Sequence, residues 1–261
     1  MQIPSGKKIY FLSDFHLGAP NRAISLEREK RIVQFLEEIK KDAAEIFIVG
    51  DLFDFWYEYR KVIPKGYTRI LGKLAQLTDS GVFIHFFVGN HDMWMSGYFE
   101  EELNIPVFHE PKVFEWNGKK FYIGHGDGLG PGDQGYKFIK KIFRNQFCQW
   151  LFGVLPPAIG FGMADYFSHK SRAATGQIDE QFLGEEKEWL IVYSKEILQK
   201  QHFDYFIFGH RHLPIDFLLN NNSRYINLGD WIRYCTYAVF DGKAVVLKSW
   251  LPETESKIIR K

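Results

Sequence analysis

Ile46-Phe47-Ile48-Val49-Gly50-Asp51-Leu52-Phe53-Asp54 puts six apolar residues, four of them consecutive, a glycine and two carboxylates into one short run. An apolar run of this length, rich in β-branched and aromatic residues and cut off by glycine, reads as a strand buried on both faces that ends in a polar loop. The same grammar recurs along the chain: Ile9 to Leu12 runs into Ser13-Asp14, Val82 to Val88 into Gly89-Asn90, and Phe121 to Ile123 into Gly124-His125. Between the first three runs, Leu26 to Lys40 spaces Ile32, Phe35, Leu36 and Ile39 as a helix face does. Tyr67 to Leu77 does the same with Ile70, Leu71, Leu74 and Leu77. The first half is therefore β-α-β-α-β, a pattern of parallel strands with crossover helices.

The second half changes rhythm. A helical stretch from Asp179 to Lys200 precedes strand candidates at Tyr205 to Phe208, Ile215 to Leu219, Arg224 to Leu228, Tyr237 to Phe240 and Ala244 to Trp250. Asn220-Asn221-Asn222 and Asp241-Gly242 supply hairpin turns. Parallel units followed by hairpins predict a mixed α/β fold, a four-layer αββα sandwich with two sheets face to face and helices outside, formed by residues 1–261 as one domain.

Residues 136–172 stand apart as an insertion. Phe143, Phe147, Trp150, Leu151 and Val154 fall on one helical stripe, and Lys137, Lys141 and Arg144 on the adjacent one. With Lys140, Lys170 and Arg172 the segment is basic, against Asp165 alone. One reading is a helical hairpin packed on the core. The other is a lid that offers apolar surface to a ligand tail and cations to a phosphate or an anionic bilayer.

Composition narrows the partners. The 33 basic and 32 acidic residues leave a net charge of +1, so no nucleic-acid partner is expected from global charge. Cys148 and Cys235 are too few for a disulfide framework or a thiolate metal site, which points to a reducing, cytoplasmic setting. Met1 to Tyr10 lacks the features of a signal peptide, and no apolar run approaches the roughly 18 residues that span a bilayer.

Five short motifs follow strand candidates in order: Asp14-Phe15-His16, Gly50-Asp51-Leu52-Phe53-Asp54, Gly89-Asn90-His91-Asp92, Gly124-His125-Gly126-Asp127 and Gly209-His210-Arg211-His212. Strand ends at one sheet edge converge in space. Carboxylates, an amide oxygen and imidazoles without thiolate suit divalent ions such as Mn²⁺, Fe²⁺, Zn²⁺ or Mg²⁺. Isolated histidines, His85, His109, His169 and His202, read instead as hydrogen-bonded members of the core.

The ordered set resembles the calcineurin-like metallophosphoesterases over residues 14–212, with every metal-ligand position filled. The resemblance implies two divalent ions, Mn²⁺ foremost, one on Asp14, His16 and His212, the other on Asn90, His125 and His210, with Asp51 bridging. Such a pair can activate water and clamp the phosphoryl oxygens of an in-line displacement. Asp51, Asn90 and His91 are thereby the catalytic candidates, His91 touching the phosphoryl group and protonating the leaving oxygen. Asp54 and Asp92 are expected to hold ligand imidazoles, and Asp127 to do so or to cap a loop.

Within that superfamily the chain is most similar to the UDP-2,3-diacylglucosamine diphosphatases of lipid A synthesis. Gly50 to Trp56, the run from His125 through Asp133 and Tyr136, and the insertion that follows carry this resemblance. It implies cleavage of a phospholipid-like nucleotide sugar to UMP and 2,3-diacylglucosamine 1-phosphate, an acyl chamber in the cap, and peripheral contact with the cytoplasmic face of the inner membrane. Asp133, Tyr136, Ser168, Lys170, Arg172 and Trp56 are then the substrate-binding candidates. His91 departs from the arginine of proteobacterial members, which leaves another phosphodiesterase or nucleotide pyrophosphatase open as the activity. A non-catalytic scaffold of this fold would have lost metal ligands, and here none is missing.

Overall fold

The computed structural model describes residues 1–132, 134–164 and 181–261. Strand β1 (Lys8–Leu12), helix α1 (Arg22–Ile39), β2 (Ala43–Val49), α2 (Thr68–Asp79) and β3 (Phe83–Phe87) form the anticipated β-α-β-α-β series. β1, β2 and β3 pair in parallel. Helix α3 (Tyr98–Leu103) and the short β4 (Val107–Phe108) complete that side, and β5 (Lys112–Trp116) and β6 (Lys119–Gly124) open the second sheet. After the segment that follows β6, helix α6 (Trp189–Leu198) leads to β7 (Tyr205–Phe208), β8 (Pro214–Asn220), β9 (Ser223–Leu228), β10 (Thr236–Phe240), β11 (Val245–Ser249) and β12 (Ile259–Arg260). The helix expected from Asp179 begins at Trp189 instead, because Gly184 takes a left-handed conformation and residues 185–187 form a turn.

The two six-stranded sheets run β11-β10-β1-β2-β3-β4 and β12-β8-β9-β7-β6-β5. Strand alternation decides the layers. Ile9, Phe11, Phe47 and Val49 point between the sheets, where they meet Trp116, Phe121, Ile123, Ile207 and Ile226. Tyr10, Leu12, Ile46 and Ile48 point the other way, against Ile32, Phe35 and Leu36 of α1 and Ile70, Leu71 and Leu74 of α2. On the far side Leu190 and Ile191 of α6 cover Phe206, Phe208 and Ile215. The result is the αββα sandwich predicted from the strand grammar.

The inserted segment contains α4 (Gln134–Phe143), α5 (Gln146–Val154) and a helical run at 157–164. It is moored by rings rather than sunk into a core. Phe152 packs against Tyr57 and Trp94, each with centroids 4.8 Å away. Trp94 Nε1 donates to the Phe143 carbonyl at 2.7 Å, and the Tyr57 hydroxyl to that of Gln149 at 2.9 Å. No side chain of α4 or α5 is buried, and Phe147, Trp150, Leu151 and Val154 are between 55% and 66% exposed.

Among the isolated histidines only His85 behaves as read, with Nε2 2.9 Å from Glu45 and its ring stacked on Phe47. His109 and His202 are exposed, because each lies in a connection rather than a strand, and His169 falls outside the described residues.

Candidate metal centre

Each motif sits where a strand stops. β1, β2 and β3 run parallel in one sheet, as do β6, β7 and β9 in the other, so both deliver their carboxyl ends to one edge of the sandwich. There the backbone turns sharply: Asp14, His16, Asp51, His210 and His212 all have φ between 45° and 68°. Such left-handed geometry costs a non-glycine residue about 1 kcal/mol or more, so five together rival the net stability of a domain. Cross-links hold them. Asp14 N–H donates to the Gly50 carbonyl at 3.1 Å, His16 N–H to that of Asp51 at 2.9 Å, and Trp231 N–H to that of Asp14 at 3.1 Å. Gly50 and Gly89 permit this crowding, since a Cβ at either would strike His125 or Asp51.

The donor atoms converge in three overlapping sets: Asp14 with His16 and His212; His16 with Asp51 and His91; Asp14 with Asp51 and His125. Asn90 and His210 join them, with Asn90 Oδ1 3.2 Å from His125 Nε2 and 2.9 Å from His210 Nδ1. All seven positions expected to ligate metal are thus brought together around Asp51.

Whether a cation suits this cluster follows from where the imidazole protons sit. His125 Nδ1 lies 2.8 Å from the Val49 carbonyl, His212 Nδ1 3.3 Å from Asp230, and His16 Nδ1 3.6 Å from Asp54. The first two acceptors place the proton on Nδ1 and leave Nε2 of His125 and His212 as a lone pair, while His16 Nδ1 makes no hydrogen bond among the described residues. Yet His16 Nε2 and His212 Nε2 face one another at 3.2 Å, and His125 Nε2 faces Asp51 at 3.3 Å. Acceptors aimed at acceptors repel unless positive charge lies among them, which is the condition a divalent ion meets. The local field agrees: burial opposes charge on His16 and His125, but the surrounding carboxylates prevail and raise both to about 10. Burial likewise opposes ionisation of Asp51, and the imidazoles of His125 and His91 overcome it, holding Asp51 well below the usual carboxylate range. His210 is instead pushed down to about 4, by burial and then by His125.

His91 donates from Nδ1 to the Asp54 carbonyl at 2.9 Å, which turns its Nε2 toward the cluster. Burial lowers its pKa below that of free histidine. Asp54 stands beside an imidazole, as expected, but Asp92 does not. Its carboxylate accepts from the N–H groups of Gly89 at 2.7 Å, Leu52 at 2.8 Å and Asp51 at 3.3 Å, tying two motif loops together. Burial and the charge of Asp51 raise Asp92 to about 7.

Asp127 also has a different task, because α4 reaches back to it. The Tyr136 hydroxyl donates to its carboxylate at 2.6 Å and Lys140 Nζ approaches at 2.6 Å, so it moors the inserted helix to the His125 loop. Tyr136 is half-buried, its ring 6.4 Å from that of His210. Trp56 cannot contact a ligand: it is fully buried, stacked on Phe53 at 4.3 Å, with Nε1 donating to Glu58. The loop after Asp54 turns this indole inward. Asp133, Ser168, Lys170 and Arg172 lie outside the described residues. Sequence reading missed Asp230, the partner of His212 Nδ1; its only signal is Gly229-Asp230 at the end of an apolar strand.

Comparison with known proteins agrees with this geometry. The sequence profile of the calcineurin-like phosphoesterases matches residues 7–214. UDP-2,3-diacylglucosamine hydrolase of Porphyromonas gingivalis is 41% identical over 254 residues, 93% of this chain and 97% of that protein. Proteins of the same name from Histophilus somni and Shewanella putrefaciens are 28% and 27% identical, covering 86% and 85% of this chain and 92% and 88% of their own. A profile that runs from the threshold of β1 to the first residue of β8 takes in all five motifs, and on that ground the chain belongs to the calcineurin-like phosphoesterase family.

Proposed function

We propose that this enzyme hydrolyses the pyrophosphate bond of UDP-2,3-diacylglucosamine, releasing UMP and 2,3-diacylglucosamine 1-phosphate, with two Mn²⁺ ions as cofactor. Asp14, His16 and His212 would hold one ion and Asn90, His125 and His210 the other, with Asp51 shared between the two sets. Two ions held there would supply positive charge for the phosphoryl oxygens and for activation of water. His91 keeps its Nδ1 on the Asp54 carbonyl and meets a phosphoryl oxygen or the leaving oxygen with Nε2. Tyr136 touches the sugar phosphate, and Asp133, Ser168, Lys170 and Arg172 complete the substrate contacts.

The observation that carries this reading is the exposed stripe of Phe147, Trp150, Leu151 and Val154 on a segment moored directly to the metal-site loops. A water-soluble ester has no use for such a surface, whereas two acyl chains require one. The curated relatives, all named for a diacylated UDP-glucosamine, point the same way. The same stripe, with Lys137 and Lys141 nearby, suits peripheral contact with the cytoplasmic face of the inner membrane, where this lipid would be met. No helix among the described residues is long and apolar enough to cross a membrane.

Mn²⁺-loaded protein given UDP-2,3-diacylglucosamine and, separately, UDP-glucose tests the reading. UMP release from the lipid is expected to exceed that from the soluble analogue by about a hundredfold or more in kcat/KM, since buried acyl methylenes are available to only one of them. Brisk cleavage of UDP-glucose with none of the lipid would assign the site to a general nucleotide pyrophosphatase.

A further inference from the structure

Helix α1 hides three polar side chains on its otherwise apolar inner face: Ser25, Arg28 and Glu29, each no more than 6% exposed. Two have plain structural tasks. Ser25 Oγ accepts from Gly18 N–H at 2.7 Å, and Glu29 accepts from the N–H groups of Arg69 and Ile70 at the start of α2. Arg28 is different because its contacts converge on the loop of a metal-site motif. Its Nη1 donates to three carbonyls of one loop, Phe15 at 3.1 Å, His16 at 2.8 Å and Ala19 at 3.2 Å. That loop carries His16 in its left-handed conformation. Two carboxylates, Asp230 and Asp54, stand behind the same metal position. These are the two that face the Nδ1 atoms of His212 and His16.

We propose that Arg28 is a positioning residue for one metal position only, that of Asp14, His16 and His212. Its hydrogen bonds hold the His16 loop in its strained turn. Among the described residues Asn90, His125 and His210 have no such link to it: His125 is set by the Val49 carbonyl and His210 by contacts with Asn90 and Asp14. The inference rests on the two-metal reading above and adds a residue that no metal-ligand motif includes.

Titration of Mn²⁺ into the metal-free full chain, followed by electron paramagnetic resonance, separates the two ions, because paired Mn²⁺ ions couple magnetically and a single ion does not. Arg28→Met keeps the length of the stem and removes the charge and the donors. It is expected to weaken one ion about ten- to a hundredfold, the usual scale for partners behind a ligand, while the other binds as in wild type. The coupled spectrum then gives way to that of a single ion. Wild type binding fewer than two ions would defeat the two-metal reading. Wild type binding two, with Arg28→Met matching it at both positions, would overturn the role of Arg28 and leave that reading standing. Equal weakening of both positions, or a lower Tm with unchanged affinities, would make Arg28 a part of the fold at large and equally overturn the proposal. If Arg28→Met lacks the near-ultraviolet circular dichroism of the folded chain, Arg28→Lys decides by the same titration. Lysine retains the charge but cannot span three carbonyls, so a smaller loss confined to one ion is expected, and unchanged binding of both refutes the proposal.

Discussion

Asp14, His16, Asp51, His210 and His212 share a backbone conformation that their side chains disfavour, and they share it because function needs their donor atoms within one small volume. A strand that continued straight past β1 or β2 would carry these groups away from one another; a left-handed residue at its end folds them back over the sheet edge. His91 lies in the same cluster with one ring nitrogen committed to the Asp54 carbonyl. If it serves the phosphoryl group, His91→Ala lowers kcat by about 10²–10⁴-fold while elemental analysis still finds two ions per chain. Loss of one ion in that variant would make His91 a ligand, a role its place beside His16 and Asp51 also permits. Asp51→Ala, by contrast, is expected to abolish turnover and the magnetic coupling of bound Mn²⁺ together, because Asp51 is the ligand the proposal shares between the two ions.

At the scale of elements, the parallel β1–β2 pair must be registered accurately, since each strand runs into a candidate metal ligand. Asp42, one residue before β2, helps to set that register: its carboxylate accepts from Lys8 Nζ at 2.7 Å and from the Tyr10 hydroxyl at 2.8 Å. Burial raises its pKa, but these two hydrogen bonds outweigh burial and leave it below the usual value of 3.8. A carboxyl depressed in the folded state contributes stability that is present above its unfolded pKa and lost as pH falls through the folded one. Asp42→Asn is therefore expected to cost about 1 kcal/mol near pH 7, a modest figure because Lys8 is 40% exposed and screened by solvent. The gap between wild type and variant closes as pH drops below about 4. Urea unfolding at pH 7 and pH 3 measures both ends, and a gap unchanged with pH would show that the ionised form contributes nothing.

The whole molecule joins two devices, a rigid sandwich that fixes charged groups and an inserted segment that leaves apolar ones uncovered. Asp127 couples them, with Tyr136 and Lys140 of α4 on its carboxylate and His125 two residues away. If the stripe on α5 receives acyl chains, Phe147→Ala and Trp150→Ala each remove contacts that only an acylated substrate makes. Every large apolar group so buried is worth roughly 1.5–3 kcal/mol, so kcat/KM for UDP-2,3-diacylglucosamine should fall about tenfold or more in each variant. Hydrolysis of a small chromogenic phosphodiester should hardly change. Equal losses on both substrates would indicate a damaged fold, which Phe152, moored among Tyr57 and Trp94, would cause more readily than its exposed neighbours.

The candidate metal ligands were legible in the sequence because each is local: a polar residue within two to four positions of where an apolar run breaks, at spacings that strand geometry makes meaningful. The layers were legible for the same reason, since alternation along β1 and β2 already assigns Ile9 and Phe47 to one face and Tyr10 and Ile48 to the other. What lies behind the ligands was not. Asp230 finds His212 across 18 residues, Asp92 finds Leu52 across 40, and Arg28 meets the carbonyls of a loop that precedes its own helix. Trp56, two residues beyond Asp54 and aromatic, looked as fit for a ligand as any neighbour, until the path of the loop turned it into the core. Period and spacing report which face of an element a residue occupies. Which distant group stands opposite depends on how elements dock, and that is set by the summed packing of the two sheets and their helices, a property no short stretch of chain contains.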